Sequence, residues 1–282
     1  MPNRRDFLST LGLALGASTL GRPRALAAMT TPAPSFHLQR IGIQLYTVRS
    51  LTEKDLAGTL AKLAAIGYTE VEFAGYFGKT PEQVRAMLIA NGLSSPSSHI
   101  PLPADDDAWK RALADARTIG HEWAVIPWLD PSQRKDWGPF ADRLNHLAAL
   151  SRAAGMRFAY HNHDFEFVKE GNGTVMELLL KNTDPALVDF EMDIYWVTKA
   201  GADPLDLIAR YPKRFPLMHA KDASPAPDRN IVDVGSGTID FAKIFKQERT
   251  SGMTHVYVER DNPTDAMDTA TKSFQYLAKL KY

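Results

Sequence analysis

Apolar and polar positions follow two alternating patterns along most of the chain. From residue 38 onward, short runs rich in β-branched and aromatic residues are followed by stretches in which apolar residues recur every three or four positions. The first pattern is typical of β-strands and the second of amphipathic helices. The patterns predict eight strands: Arg40–Thr47, Thr69–Phe73, Leu93–His99, Trp123–Trp128, Arg157–His163, Leu187–Tyr195, Leu217–Lys221 and His255–Arg260.

Helix-starting and helix-ending residues separate these strands. Thr80-Pro81 opens one helix, with proline at the first helical position, and Asn91-Gly92 closes it. The other predicted helices are Leu56–Ile66, Asp105–Ile119, Phe140–Ala154, Thr174–Lys181, Pro204–Tyr211, Ile239–Glu248 and Asp265–Lys279.

Strict alternation of strands and helices with short loops predicts a parallel sheet. Eight such units in residues 38–282 match the size of a closed (β/α)8 TIM barrel, so the predicted fold class is α/β with a single domain. An open doubly wound sheet is the alternative. It usually carries a glycine-rich phosphate turn after the first strand, and the segment after Gln44 holds no such turn.

The first 27 residues have the features of an export signal. Arg4-Arg5 precede a short apolar stretch, and Ala25-Leu26-Ala27 provides a small-residue cleavage site. The paired arginines predict a twin-arginine signal and a periplasmic or secreted protein, with a Sec signal or an uncleaved anchor as alternatives. Residues 28–37 are interpreted as a linker and residues 38–282 as the barrel.

Composition excludes several classes of protein. Lysine plus arginine total 33 and aspartate plus glutamate total 33, and removing the signal, with four arginines and one aspartate, leaves a net charge of −3. A mildly acidic chain lacks the basic surface of a nucleic-acid-binding protein. The absence of cysteine excludes disulfides, zinc–thiolate sites and a thiol nucleophile.

Titratable residues collect at the carboxyl ends of the predicted strands, where the active site of a TIM barrel lies. Four of the eight histidines occur there: His99, His161, His163 and His219. Because side chains alternate along a strand, four sets share a face: His161 with His163, Glu191 with Asp193 and Tyr195, His219 with Lys221, and Tyr257 with Glu259.

Four of these polar residues suit a metal ion. Glu166, Asp193, His219 and Glu259 offer three carboxylates and one imidazole from successive strands. An oxygen-rich set with one nitrogen suits Mn²⁺, with Mg²⁺, Co²⁺ and Zn²⁺ as alternatives. We therefore expect one divalent ion, while hydrogen-bonded polar groups without a metal are the alternative interpretation.

The chain resembles the xylose isomerase-like TIM-barrel superfamily, which holds sugar isomerases, epimerases, inosose dehydratases and the AP endonuclease family 2 fold. The resemblance spans about residues 38–282. It rests on five motifs: Tyr160-His-Asn-His-Asp-Phe-Glu166, Met192-Asp-Ile-Tyr-Trp196, Met218-His-Ala-Lys-Asp222, Gly235-Ser-Gly-Thr-Ile-Asp-Phe241 and Tyr257-Val-Glu-Arg-Asp261.

The resemblance implies a divalent metal held by residues from strands five to eight. Asp193, His219 and Glu259 match the family positions on strands six, seven and eight. Strand five departs from the pattern, because His161 occupies a position where many members have glutamate. Glu166 is the expected replacement ligand, with His161 as the alternative.

The expected chemistry is removal of a proton from the carbon next to a carbonyl of a carbohydrate, as in isomerases and epimerases. A 3-keto-glycoside lyase or hydratase on the same site is the alternative. The residues expected to act in catalysis are Glu166, Glu259, His161, His163 and Lys221. The residues expected to bind substrate are Gln44, Tyr46, Glu72, His99, Trp128 and Tyr195.

The predicted partner is a small carbohydrate, with no nucleic acid and no stable membrane association after cleavage. Oligomerisation is left open. Two alternative hypotheses about function are compatible with the same fold: an exported carbohydrate-binding barrel without turnover, and a DNA repair nuclease. The acidic charge of the mature chain and the export signal disfavour the nuclease.

Overall fold

The protein was analysed as a computed structural model, which describes residues 36–282. The predicted signal peptide and most of the predicted linker lie outside the described residues. Eight strands form one sheet: β1 Gly42–Gln44, β2 Glu70–Glu72, β3 Ser97–His99, β4 Trp123–Ile126, β5 Arg157–His161, β6 Val188–Asp193, β7 Leu217–Ala220 and β8 His255–Val258.

The eight strands close into a barrel. Their order in the sheet is β2-β1-β8-β7-β6-β5-β4-β3, and every pair is parallel. Single parallel bridges, Glu70 with Ser94 and Phe73 with Ser98, join the two ends of the sheet. The predicted TIM barrel is confirmed.

Helices surround this barrel. Their bounds are α1 Arg49–Thr52, α2 Leu56–Ile66, α3 Pro81–Ala90, α4 Asp106–Ile119, α5 Trp137–Ala153, α6 Val175–Asn182, α7 Ile194–Lys199, α8 Pro204–Arg210, α9 Phe241–Phe245, α10 Glu248–Ser251 and α11 Ala266–Lys279. Short 3-10 turns cover Leu45–Val48, Pro131–Gln133 and Phe165–Phe167. Within residues 36–282, no helix is both long and apolar enough to cross a membrane.

Capping side chains explain where several elements begin and end. Thr80 and Gln83 form a capping box at the start of α3. The strand predicted through Tyr195 instead ends at Asp193, because the Asp193 carboxylate accepts a hydrogen bond from the Trp196 N–H and starts α7. The prediction that Tyr195 shares a strand face with Asp193 was therefore wrong.

Two further predicted bounds differ. The first strand ends at Gln44, whose Oε1 accepts from the Tyr46 N–H and turns the chain into a 3-10 turn. The helix predicted over Ile239–Glu248 is divided into α9 and α10, because the backbone tightens at Gln247, whose N–H bonds to the Ile244 carbonyl three residues back.

Apolar packing fills the space around and inside the barrel. The larger core lies between the sheet and its helices, where Trp109 and Phe158 are fully buried. A smaller cluster fills the barrel interior: Trp123, Val125, Ala159, Leu217 and Tyr257. Along β7 the inward-facing residues are first Leu217 and then His219. The apolar cluster therefore fills the lower part of the barrel interior, and titratable side chains fill its carboxyl end.

Candidate metal centre

Two overlapping groups of potential metal ligands lie at the carboxyl end of the barrel. One comprises His99, His161, Glu191 and His219, and the other comprises Asp193, His219 and Glu259. Within each group the ligand atoms lie within 4.8 Å of one another. All are buried except His99, which is partly exposed. Strands β3, β5, β6 and β7 and the residue after β8 bring these side chains together, as the parallel topology requires.

Glu191 contacts all three histidines of the first group. Its Oε2 lies 2.7 Å from His99 Nε2, 2.9 Å from His161 Nδ1 and 3.2 Å from His219 Nε2. Burial alone would raise the pKa of Glu191, but the charges of His219 and His99 hold it well below its usual range. Sequence reasoning did not include Glu191 among the site residues. Glu191 lies two positions before Asp193 on β6 and so faces the same side of the strand, which could have identified it from the sequence.

Asp193 and Glu259 face each other in the second group. Asp193 Oδ2 lies 3.7 Å from His161 Nε2 and 3.0 Å from Lys221 Nζ, in neither case with hydrogen-bonding alignment. Glu259 Oε2 lies 2.6 Å from His219 Nδ1. Burial raises the pKa of Asp193 to about 6. Despite burial, the Lys221 ammonium and His219 hold the pKa of Glu259 well below its usual range.

These side chains fit a divalent ion. The second group supplies two carboxylates and one imidazole, a donor set that Mn²⁺ and Zn²⁺ accept. Asp193 Oδ2 is buried and makes no hydrogen bond among the described residues, although it lies 3.0 Å from the Lys221 ammonium, so a divalent ion would take this oxygen in competition with Lys221. His161 holds its Nδ1 against Glu191, the arrangement in which a carboxylate orients a metal-binding imidazole.

Glu166, the predicted strand-five ligand, lies apart from both groups. The 3-10 turn after β5 directs its carboxylate to Tyr160, whose hydroxyl donates at 2.6 Å, and to the His163 N–H at 2.8 Å. Burial raises the pKa of Glu166 to about 7. Both its oxygens accept hydrogen bonds, and Glu166 belongs to neither group of potential metal ligands. Its roles as ligand and as catalytic acid or base stay predictions. The strand-five residue that does belong to a group of potential metal ligands is His161, in the first group.

A cavity of about 560 Å³ opens at the carboxyl end of the barrel, and three residues of the two ligand groups line it: His99, His161 and Glu259. Of the predicted site residues, those that line it are Tyr46, His99, Trp128, His161, His163, Lys221 and Glu259. Trp196 and Asp261 also line it. His163 Nδ1 and Trp196 Nε1 are buried without hydrogen-bond partners among the described residues, so two polar groups beside the cavity remain available to a ligand.

Three residues predicted to bind substrate are placed differently. Gln44 is fully buried and donates to Glu72 Oε2 at 2.8 Å. Glu72 also bonds to Ser97 and lies 2.7 Å from His219 Nε2, so it supports His219 from below rather than lining the cavity. Tyr195 donates its hydroxyl to the Arg229 carbonyl at 2.9 Å. None of the three belongs to the cavity lining among the described residues.

The glycine turn at Gly235-Ser-Gly237 holds a side chain of the protein itself. The Asp222 carboxylate accepts hydrogen bonds from the backbone N–H groups of four residues: Ala223, Gly235, Gly237 and Ile239. Backbone N–H groups arranged in this way form an anion-binding nest. Asp222 occupies this nest, so the turn is a structural feature and offers no phosphate site.

The parallel barrel places buried imidazoles and carboxylates at its carboxyl end, where TIM-barrel enzymes have their active sites. The family model described as xylose isomerase-like TIM barrel matches residues 60–280, and the chain belongs to this family. Its relatives carry the names of enzymes that act on small carbohydrates and related molecules.

Three relatives illustrate this similarity. The inosose dehydratase of Geobacillus kaustophilus is 25% identical over 230 residues, which cover 66% of this chain and 73% of that protein. A sugar phosphate isomerase/epimerase from Parabacteroides distasonis is 28% identical with a TM-score of 0.74, covering 92% of this chain and 99% of that one. The IOLI protein, solved with a zinc atom, is 14% identical with a TM-score of 0.64 over 85% of this chain and 98% of that one, which shows the shared fold alone.

Proposed function

We propose that this protein is a divalent-metal-dependent enzyme that removes a proton from the carbon next to a carbonyl of a carbohydrate. The observation that carries the proposal is the convergence of Asp193, His219 and Glu259 beside the cavity. His161 completes the proposed ligand set, since Glu191 holds its Nδ1 and its Nε2 lies 3.7 Å from Asp193 Oδ2. When bound, the ion would withdraw electron density from the substrate's carbonyl oxygen and so acidify the neighbouring C–H.

Two histidines on the cavity wall are placed for proton transfer. His163 presents a buried Nδ1 with no hydrogen-bond partner among the described residues, which places an acceptor nitrogen beside the cavity. Burial lowers the pKa of His163 well below the usual range and keeps the ring neutral. His99 and His163 both pack against His161, with ring centres 5.1 Å and 4.9 Å from it. Although burial alone would lower the pKa of His99, Glu72 and Glu191 raise it above the usual value. His99 is therefore the proton donor of the pair.

The pair favours elimination of a neighbouring hydroxyl or alkoxy group. His163 takes the proton from carbon, the bond from the adjacent carbon to its oxygen breaks, and His99 protonates the leaving oxygen, so an unsaturated ketone and water or an alcohol result. The similarity to an inosose dehydratase supports this reaction class. Isomerisation or epimerisation shares the first proton transfer and differs only in where the proton returns.

Exchange of hydrogen with solvent tests the proposal. The purified protein, loaded with Mn²⁺, is incubated in D₂O with inosose and with a panel of other keto-sugars, and the substrate is followed by NMR. The expected result is an unsaturated ketone or its diketone tautomer, with deuterium at the carbon beside the carbonyl in any substrate recovered after a reversible first step. Exchange without loss of water would identify an isomerase or epimerase instead.

A matched variant controls this experiment. Asp193→Asn keeps the side-chain oxygen that caps α7 but removes the charge proposed to hold the ion. We expect the variant to fold and to lose exchange. Loaded wild-type protein that neither exchanges a substrate hydrogen nor converts any keto-sugar of the panel would contradict the proposal.

A further inference from the structure

Trp196 carries a polar group that the proposed proton transfer does not use. Its side chain lines the cavity, yet its Nε1 is buried and makes no hydrogen bond among the described residues. A buried N–H without an acceptor is costly, so an unpaired N–H beside a cavity points to a ligand that supplies one. An indole N–H can only donate, and the matching ligand atom is therefore an acceptor such as a hydroxyl oxygen.

The same aspartate that is proposed to bind the metal also places Trp196. The Trp196 backbone N–H donates to Asp193 Oδ1 at 3.0 Å, which fixes the first turn of α7. The other oxygen of this carboxylate, Oδ2, is the one proposed to meet the ion. The neighbouring Tyr195 packs edge-on against the indole, with ring centres 4.8 Å apart. Trp196 is therefore held at a fixed place relative to the proposed ion.

Trp196 stands next to the proposed base. Its ring centre lies 5.5 Å from that of His163, with the ring planes tilted by 37°. On its other side, Lys221 Nζ lies 5.7 Å from the ring centre. His163 Nδ1, like Trp196 Nε1, is buried without a hydrogen-bond partner among the described residues. One of these nitrogens accepts and the other donates, so two neighbouring groups of opposite character meet a ligand at the same wall.

We propose that Trp196 is a specificity-determining residue whose Nε1–H donates to the hydroxyl on the carbon that loses its proton to His163. The inference rests on the proposed function for the role of His163. On a tetrahedral carbon the hydrogen and the hydroxyl occupy neighbouring positions, so a neighbouring acceptor and donor match one substituent each. Exchanging the two substituents would leave the indole N–H without its acceptor. The pair therefore selects one configuration at this carbon and disfavours a ligand that lacks the hydroxyl.

The hydrogen bond from Trp196 forms before the proton leaves, so it should affect binding as well as turnover. A ligand without this hydroxyl displaces water from the cavity but offers the indole N–H no acceptor in return. Sites that hydrogen-bond a substrate hydroxyl reject analogues that lack it more strongly than apolar pockets reject a missing methylene. Trp196 thus acts on the choice and orientation of the substrate and takes no part in the proton transfer itself.

One cyclic keto-sugar and two of its analogues test the inference. The ketone scyllo-inosose carries a hydroxyl on each side of its carbonyl, and removal of one or the other gives the two enantiomers of 2-deoxy-scyllo-inosose. The three compounds are titrated by calorimetry into the Zn²⁺-loaded protein, and kcat/KM replaces the affinity of any compound that is converted. We expect one enantiomer to match the parent and the other to be about tenfold weaker. Trp196→Phe keeps the ring and the backbone cap but lacks the N–H, and it should remove this difference.

Trp123→Phe provides the matched control. Trp123 Nε1 is also buried without a hydrogen-bond partner among the described residues. Its ring belongs to the apolar cluster inside the barrel and is not part of the described cavity lining. The variant loses the same N–H at a position out of the ligand's reach, so it should keep the difference between the enantiomers. Thermal unfolding of both variants verifies that each is folded.

The indole signals of the wild type give a second readout that needs no substitution. The chain has five tryptophans, whose N–H groups give separate NMR signals in protein labelled with ¹⁵N-tryptophan and loaded with Zn²⁺. The parent inosose and the tighter enantiomer should move one buried indole signal downfield, and the weaker enantiomer should not.

Three results would overturn the inference: equal binding of the two enantiomers to wild type, a difference that survives in Trp196→Phe, or no binding of any of the three compounds. The proposed function fails separately, when the protein neither exchanges a hydrogen of any keto-sugar in the panel nor converts one. A difference in affinity between the enantiomers would survive that failure.

Discussion

Nζ of Lys221 lies 3.0 Å from Oδ2 of Asp193, one of the oxygens proposed to hold the metal. The same ammonium lies 2.9 Å from Oε2 of Glu259. Lys221 therefore contacts the same two carboxylates that are proposed to bind the divalent ion. A buried ammonium is tolerated here because three carboxylates, including Asp261, surround it, and these charges hold the pKa of Lys221 well above its usual value although burial alone would lower it.

Removing the ammonium should make the protein depend on metal. In the metal-free state Lys221→Met leaves three buried or half-buried carboxylates without their cation, and the free energy of unfolding should fall by about 3 kcal/mol. Mn²⁺ supplies the missing charge, so its addition should raise the Tm of the variant by more than that of wild type, as measured by scanning calorimetry.

A surface lysine provides the control for this prediction. Lys272 pairs with Asp268 on the exposed face of α11, so Lys272→Met should leave the free energy of unfolding close to that of wild type and the metal response unchanged. A smaller metal-induced rise in Tm for Lys221→Met than for wild type would show that the ammonium and the metal do not share these carboxylates.

The strand-five ligand can be identified by comparing two variants. His161→Gln removes a proposed ligand, and the dissociation constant of Mn²⁺ should rise by more than about tenfold. Glu166→Gln leaves the proposed ligand set intact, so metal affinity should stay close to wild type, as measured by competition with a fluorescent chelator. The opposite order of affinities would assign the ligand to Glu166.

Ionisation of the Glu166 carboxyl should make the free energy of unfolding depend on pH. Its pKa is raised from 4.5 to about 7 in the folded protein. Between these values the unfolded chain loses this proton first, so the free energy of unfolding falls as pH rises and is lowest above pH 7. The full effect is about 3 kcal/mol at 1.36 kcal/mol per pKa unit.

Urea denaturation of metal-free protein at pH 5 and pH 8 measures this effect. Glu166→Gln lacks the ionisable group, so its stability relative to wild type should increase from pH 5 to pH 8. Glu53→Gln, a change at an exposed glutamate, should show no such trend. A relative stability of Glu166→Gln that falls with pH would contradict the burial argument.

The turn that holds Asp222 leaves no space for a side chain. A Cβ at Gly237 would lie 2.3 Å from the Ala223 carbonyl oxygen and 2.3 Å from an Asp222 carboxylate oxygen. Gly237→Ala should therefore lower the free energy of unfolding by about 2 kcal/mol. Gly138 in α5 has open space around it, and Gly138→Ala should raise stability by about 0.5 kcal/mol. Equal effects of the two substitutions in denaturation experiments would refute this.

Sequence patterns predicted the barrel because burial on both faces of a parallel strand leaves apolar runs of recognisable length. They did not predict where strands end, because that depends on single hydrogen bonds. Asp193 shows this most clearly: its carboxylate caps α7, which removes Tyr195 from the strand and turns its hydroxyl toward Arg229. A capping aspartate and a strand aspartate look alike in an alternating pattern.

The candidate site was predictable to the extent that it lies on strand ends. His99 and His161 reach the centre because parallel strands deliver their last residues to one edge. Glu166 lies in a loop, and its direction is set by the 3-10 turn and by the Tyr160 hydroxyl. Spacing along the chain carries no information about such a turn, so the sequence could not show where the Glu166 carboxylate points.

Metal content distinguishes a metal enzyme from a barrel whose polar groups only bond to one another. The protein is incubated with Mn²⁺, Co²⁺, Mg²⁺ or Zn²⁺, desalted and analysed by elemental mass spectrometry beside Asp193→Asn and Asp203→Asn, two changes at helix caps. We expect one divalent ion per chain in wild type and in Asp203→Asn, and none in Asp193→Asn. A folded wild type that retains none of the four ions, or an Asp193→Asn variant that retains its ion, would contradict the proposed metal site.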